Sequence, residues 1–153
     1  MLLLEIFNKP LQYKQVTSSP QADTYEFTTG NGNEIKVNVF KIDNFRQAGV
    51  DLPGTGIGFD FQNVNASGNP EGITGTGDEF QVFATVLTIV EQALAEHQPT
   101  LVAFGAHEGS RQKLYDRMIK VMQRRHAYEL LDTPPLMFPL GKSKYYVLRK
   151  MDV

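Results

Sequence analysis

The sequence contains no cysteine, no tryptophan and only three histidines. Without cysteine the chain can form neither disulfides nor thiolate nucleophiles nor cysteine metal sites, which is compatible with a reducing compartment. His97, His107 and His126 are far apart in the sequence and have no companion ligands at a useful spacing. We therefore expect no metal site and interpret the histidines as surface or helix-end residues.

The sequence also lacks any apolar run long enough to span a membrane. Residues 1–7 are mostly apolar, but Glu5 interrupts them and no basic segment precedes them. This segment is too short for a membrane span and is better interpreted as an edge strand or first strand than as a signal peptide. We expect a cytoplasmic protein that does not engage a membrane.

Size and charge are ordinary for one globular domain, but the charge is unevenly distributed. The 153 residues are 41% hydrophobic and 21% charged, which predicts a single domain over residues 1–153. Residues 1–100 carry a net charge of −7 and residues 101–153 a net charge of +5. The C-terminal part could attract an anionic partner, or the two halves could simply have different solvated surfaces.

Hydrophobic periodicity predicts strands in the first part of the chain and helices alternating with strands in the second. The predicted strands are 25–27, 34–42, 56–64, 100–104, 127–131 and 144–149, and the predicted helices are 78–96 and 110–125. Apolar residues, Phe80 among them, surround most of the circumference of the first helix, so we expect it to be largely buried against a sheet. Residues 65–77 are rich in Gly, Asn, Ser and Pro and are predicted to be a loop. The order β-β-β-α-β-α-β-β predicts an α+β fold with a mixed, mainly antiparallel sheet and two main helices.

The loop ends in a glycine-rich segment, Gly72-Ile-Thr-Gly75-Thr-Gly77, which leads directly into the first predicted helix. Free backbone N–H groups at a helix N-terminus bind anions when glycines let a ligand approach closely. The same glycines could serve only to shape a turn that caps a buried helix.

The element order and three local patterns resemble the GNAT superfamily of N-acetyltransferases. The glycine-rich segment resembles that family's Gln/Arg-x-x-Gly-x-Gly/Ala loop. Ser110-Arg-Gln-Lys-Leu-Tyr115 resembles its Leu-Tyr helix, and Arg125-His-Ala-Tyr128 resembles its Gly-Phe approach to the next strand. The resemblance implies a GNAT-like fold that binds acetyl-CoA and transfers an acetyl group by direct attack of an amine on the thioester.

The resemblance also assigns roles to particular residues. The backbone amides that would hold the pyrophosphate of coenzyme A belong to Thr74, Gly75, Thr76, Gly77 and Asp78. Tyr115 would be the general acid that protonates the leaving thiolate, although it could equally be a tyrosine packed through its ring. Amide formation also needs a general base, for which the resemblance names no residue. Glu26, Glu34, Asp60 and Glu108 are candidates by sequence region, and Asp60, on the strand before the loop, is the best placed.

The alternative is a catalytically silent GNAT-like protein that binds a partner, in keeping with reduced GNAT-like chains of bacteriophages and a location in the host cytoplasm. Gly72 stands where that family has Gln or Arg, and Asp78 and Glu79 add negative charge where a pyrophosphate would bind. Helical spacing places Lys113, Arg117, Lys120 and Arg124 on one stripe. This stripe could bind an acidic protein surface or the phosphates of coenzyme A, or be a solvated helix face; nucleic acid is the least favoured partner, because aromatic residues are scarce around it.

Overall fold

The computed structural model describes residues 10–42, 56–64, 79–106, 111–131 and 144–151. The elements within them are β1 (Lys14–Ser18), β2 (Ala22–Thr28), β3 (Glu34–Ile42), β4 (Gly56–Asn63), α1 (Glu79–His97), β5 (Leu101–Ala106), α2 (Arg111–Arg125), β6 (Tyr128–Leu130) and β7 (Lys144–Lys150). This arrangement confirms the predicted α+β class, the mainly antiparallel sheet and the two main helices. The predicted strand at residues 1–7 and the loop at residues 65–77 lie outside the described residues.

The seven strands form one sheet in the order β1-β2-β3-β4-β5-β7-β6. All neighbouring pairs are antiparallel except β4 and β5, which are parallel. A parallel pair needs a crossover connection, and α1 lies within the connection from β4 to β5. β7, the last described strand in chain order, lies between β5 and β6 and pairs with both.

Both helices pack against the same face of the sheet, which we call the helix face. Ile35, Val37 and Val39 alternate along β3 and are buried on this face, as the sequence predicts. The buried side chains of the helices join the same core cluster. They are Val82, Val86, Ile89, Val90, Ala93 and Leu94 on α1 and Tyr115, Met118, Ile119 and Met122 on α2.

The opposite face, which we call the strand face, is buried in one part and accessible in another. Leu101 and Ala103 on β5 and Val147 on β7 are buried there. Lys36 and Asn38 on β3 are half-buried. Burial on both faces is what the uninterrupted apolar run of β5 predicts, because a parallel strand in the middle of a sheet alternates less clearly than an edge strand.

Two expectations need correction. Four strands rather than three precede α1, because β1 was not predicted: all its residues are exposed, and a register shift lies between Gln15 and Thr17. We also expected apolar burial around most of the circumference of α1, including Phe80. Phe80 is instead 38% exposed, because the sheet covers only one side of the helix.

Candidate functional site

The parallel ladder between β4 and β5 ends before either strand does. The last paired residues are Phe59 and Phe104. β4 then continues to pair with β3 as far as Asn63, and β5 continues to pair with β7 as far as Ala106. We call this region, residues 60–63 of β4 and 105–106 of β5, the strand fork. It lies at the carboxyl ends of the two parallel strands, where open α/β sheets commonly bind ligands.

Tyr115 lies at the base of the strand fork on the helix face. Its ring centroid is 5.5 Å from that of Phe61 on β4 and 6.0 Å from that of Phe104 on β5. Phe104 also stacks on Phe59, with centroids 5.4 Å apart. Tyr115 is only 1% exposed, so these aromatic rings fill the helix side of the fork. Its role as a general acid stays a prediction.

Asp60 lies on the other side of the sheet from Tyr115. It stands between Phe59 and Phe61, which are both buried on the helix face, so alternation places its side chain on the strand face. It pairs in register with Asn38 and is half-buried. Groups on opposite faces of a sheet can act on one molecule only where the strands separate, and Asp60 is the first residue of the fork.

An exposed aromatic ring at the amino end of α1 contacts a cation from α2. The guanidinium carbon of Arg117 lies 5.4 Å from the centroid of the Phe80 ring, within the range of a cation–π contact. This contact places a positive charge from α2 beside the first turn of α1. The predicted pyrophosphate-binding residues Thr74, Gly75, Thr76, Gly77 and Asp78 lie outside the described residues.

The basic stripe of α2 is present on its solvent side. Arg117, Lys120 and Arg124 are exposed, while Met118, Ile119 and Met122 of the same helix are buried. Within the described residues, neither Lys120 nor Arg124 makes an ion pair, whereas Arg125 lies 3.5 Å from the carboxylate of Glu91. The side chain of Lys113 lies outside the described part of the structure. We call Arg117, Lys120 and Arg124 the basic stripe.

Sequence reasoning missed a groove at the end of the sheet formed by β1 to β4. It encloses about 470 Å³. Its polar and apolar lining includes Gln12, Lys14, Glu26, Thr28, Glu34 and Val64. Glu26 and Glu34 were considered only as candidate bases, because nothing in the sequence fixes their register. We call this cavity the strand-face groove.

No helix within the described residues is both long and apolar enough to cross a membrane. In the same part of the chain, no group of three His, Asp or Glu side chains is placed to hold a metal ion. His126 contacts a carboxylate instead: its Nε2 lies 2.6 Å from Oε2 of Glu91, joining the end of α2 to α1. The cytoplasmic location, or the host cytoplasm for a bacteriophage protein, stays a prediction.

Most of the chain matches the model of one known protein family. Residues 9–129 match the model of a family described as a family of unknown function, DUF6934. The chain belongs to the DUF6934 family. The matched range includes β1 to β5, both helices and the strand fork, and ends before β7. No curated protein and no solved structure matches this chain.

Proposed function

We propose that this DUF6934 chain is a GNAT-like protein that binds acyl-CoA and transfers the acyl group to an amine. The observation that carries the proposal is the end of the β4–β5 ladder at Phe59 and Phe104, while both strands continue. Backbone groups on the facing edges of two such strands can hydrogen-bond an extended ligand lying between them. The pantetheine arm of coenzyme A is an extended chain with amide groups suited to such bonds.

Two further features support the GNAT-like assignment. The observed order of strands and helices from β2 onwards is the order on which the resemblance rests. In addition, Ala127 has a φ of 56° and stands where the resembling family has glycine in its Gly-Phe segment. Glycine adopts a positive φ more easily than other residues do. The backbone at residue 127 therefore has a conformation that suits the glycine of that family.

The described residues offer partial complementarity to an acyl-CoA diphosphate. α1 is the next described element after β4 and α2 the next after β5, and Arg117 brings a cation to the first turn of α1. A positive charge there would favour a phosphate group and would offset the formal charges of Asp78 and Glu79. The amides of Thr74 to Asp78 remain the proposed pyrophosphate donors.

Acetyl-CoA would supply the activated thioester. In this proposal Asp60, on the strand face, accepts the proton that the attacking amine loses. Tyr115, on the helix face, donates the hydroxyl proton to the departing sulfur. Because Tyr115 is buried, its hydroxyl can come within about 3 Å of a bound sulfur only if binding widens the space between Phe61 and Phe104.

The test is a calorimetric titration with acetyl-CoA, combined with a thermal-shift series. We expect micromolar binding for the wild type and affinity about three- to tenfold lower for Arg117→Gln. Arg124→Gln is the matched control, because it removes the same charge two turns further along the same helix. Absence of binding and of thermal stabilisation at millimolar acetyl-CoA would show that the chain does not use this cofactor.

A second candidate function is partner binding by a catalytically silent GNAT-like protein. It is favoured by the burial of Tyr115 in the fork and by the absence of ion pairs at Lys120 and Arg124 within the described residues. The partner would be an acidic protein surface. An oligo-glutamate peptide should bind the wild type but not the double variant Lys120→Glu/Arg124→Glu; equal binding by both proteins would reject the stripe as the contact surface.

A further inference from the structure

Side-chain contacts join α1 and α2 both at the first turn of α1 and further along it. The guanidinium carbon of Arg117 lies 5.4 Å from the centroid of the Phe80 ring. Further along both helices, Arg125 lies 3.5 Å from the carboxylate of Glu91. Residue numbers rise in both helices from the first contact to the second, so the helices run in the same direction. We call the stretch between these two contacts the helix seam.

The helix seam has an apolar side chain on each of its walls. Helical spacing places Leu87 on the same side of α1 as the two contact residues of that helix, which are seven and four positions away. In α2, Val121 is four positions from each contact residue. Leu87 and Val121 are both only half-buried. The seam therefore presents apolar surface that is partly accessible to solvent.

The basic stripe runs beside the helix seam along α2. Arg117 belongs to both, since it contacts Phe80 and is followed by Lys120 and Arg124 at spacings of three and four. Residues 80–91 and 115–125 together carry four cationic side chains and two carboxylates, a net charge of +2. This excess is positive even with the carboxylate that pairs with α2 included, so the surface favours an acidic partner.

We infer that the helix seam and the basic stripe together bind one amphipathic, acidic α-helix of a partner protein. A row of acidic side chains spaced three and four residues apart on that helix matches the spacing of the basic stripe. An apolar side chain beside the row enters the seam between Leu87 and Val121, as in other helix-in-groove complexes. The inference rests on the second candidate function, partner binding through the stripe, and adds the form of the partner.

The experiment measures binding of the full chain to a synthetic helical peptide by fluorescence anisotropy at low ionic strength. The peptide probe has about four helical turns, with glutamate at positions i, i+3 and i+7 and leucine at i+4. One comparison peptide has the same composition in scrambled order, and the other has glutamine in place of the leucine. The probe should bind at least about fivefold more tightly than either comparison peptide, because only its leucine is placed to enter the seam.

Charge-reversal variants locate the surface. Lys120→Glu/Arg124→Glu should lower the affinity for the probe at least about tenfold, and a probe with lysine in place of glutamate should prefer this variant to the wild type. Lys14→Glu/Lys150→Glu is the matched control, because it makes the same change in net charge at two exposed lysines outside α2. It should leave the affinity within about twofold of the wild type. Thermal melting of each variant confirms that the chain is folded.

Equal affinity for the probe and either comparison peptide would overturn the inference and leave the charge-based second candidate function standing. Binding of neither the probe nor the oligo-glutamate peptide would reject both. Equal loss of affinity in the two charge-reversal variants would mean that net charge, and not this surface, attracts the peptide. A single-stranded oligonucleotide that bound more tightly than the probe would also overturn the inference, with nucleic acid as the partner instead.

Discussion

The hydroxyl of Tyr128 donates a hydrogen bond of 2.5 Å to the backbone carbonyl of Pro99. Tyr128 is the first residue of β6, and Pro99 lies in the connection between α1 and β5. Both residues are buried. A buried carbonyl oxygen needs a donor, so this bond ties the end of the sheet to the end of the first helix.

Burial raises the pKa of Tyr128 to about 12, from the ordinary tyrosine value of 10.0. The unfolded chain therefore loses this proton at a lower pH than the folded chain. The stability contributed by the neutral hydroxyl is fully present below pH 10 and is lost as the pH rises towards 12. The expected loss is about 2 kcal/mol across this window.

Tyr128→Phe should remove that contribution. At neutral pH we expect the free energy of unfolding to fall by about 1–3 kcal/mol, because the Pro99 carbonyl loses its donor. Between pH 10 and 11 the variant should lose less stability than the wild type. Urea unfolding at a series of pH values measures both effects, and parallel pH profiles for the two proteins would contradict the assignment.

Ala127→Gly should stabilise the protein. Ala127 has a φ of 56°, in the left-handed region, and its carbonyl accepts a hydrogen bond from the amide of Met151. Relief of the left-handed conformation gains about 1–2 kcal/mol, of which the greater freedom of glycine in the unfolded chain offsets about 0.4–1 kcal/mol. We expect a net rise of about 0.5–1 kcal/mol in the free energy of unfolding, measured by urea titration.

The control for this substitution is Ala95→Gly. Ala95 is exposed within α1 and has ordinary helical geometry, so the same change should lower the free energy of unfolding by about 1 kcal/mol. Opposite signs for the two substitutions would show that the backbone conformation at residue 127 decides the outcome. A destabilised Ala127→Gly would show that the alanine is not strained there.

The elements with regular periodicity could be predicted from the sequence. β3 alternates cleanly, and the buried residues of α2 recur at helical spacing. β1 could not be predicted, because its five residues are all exposed and a register shift interrupts it. Nothing local in β7 indicates that it lies between β5 and β6, since strand order depends on pairing between residues far apart in the chain.

The candidate site was less accessible to sequence reasoning than the fold. Tyr115 was identified by resemblance alone, and its burial between Phe61 and Phe104 depends on three separate elements. Glu26 and Glu34 are eight positions apart, and only the register of β2 against β3 brings them to one groove. Side-chain chemistry was visible in the sequence, whereas the face and the neighbours of each side chain were not.

Thr85→Val should loosen the segment that precedes β1. Thr85 is fully buried in α1; its hydroxyl donates to the carbonyl of Gln81 at 2.7 Å and accepts from the amide of Leu11 at 2.9 Å. Valine keeps the shape but leaves the Leu11 amide without this acceptor, which should cost about 1–3 kcal/mol. Urea unfolding measures the cost, and faster hydrogen exchange of the Leu11 amide locates it.

Thr88→Val is the matched control, because Thr88 also donates to a carbonyl one turn back but, among the described residues, accepts no hydrogen bond from the segment before β1. We expect its effect on the free energy of unfolding to be within about 0.5 kcal/mol. Equal destabilisation by both substitutions would mean that the helix, rather than the contact with Leu11, accounts for the loss.

Tyr115→Phe should separate cofactor binding from turnover. The variant lacks only the hydroxyl, so the ring contacts with Phe61 and Phe104 and the affinity for acetyl-CoA should persist. If Tyr115 protonates the leaving sulfur, kcat should fall by about 10²-fold or more with the most reactive amine of an acceptor panel. Tyr13→Phe removes a hydroxyl that donates to Gln92 far from the fork and should leave kcat unchanged. Unchanged kcat in Tyr115→Phe would show that this tyrosine serves packing. The aromatic rings on the helix side of the fork would then belong to the core and not to a catalytic site.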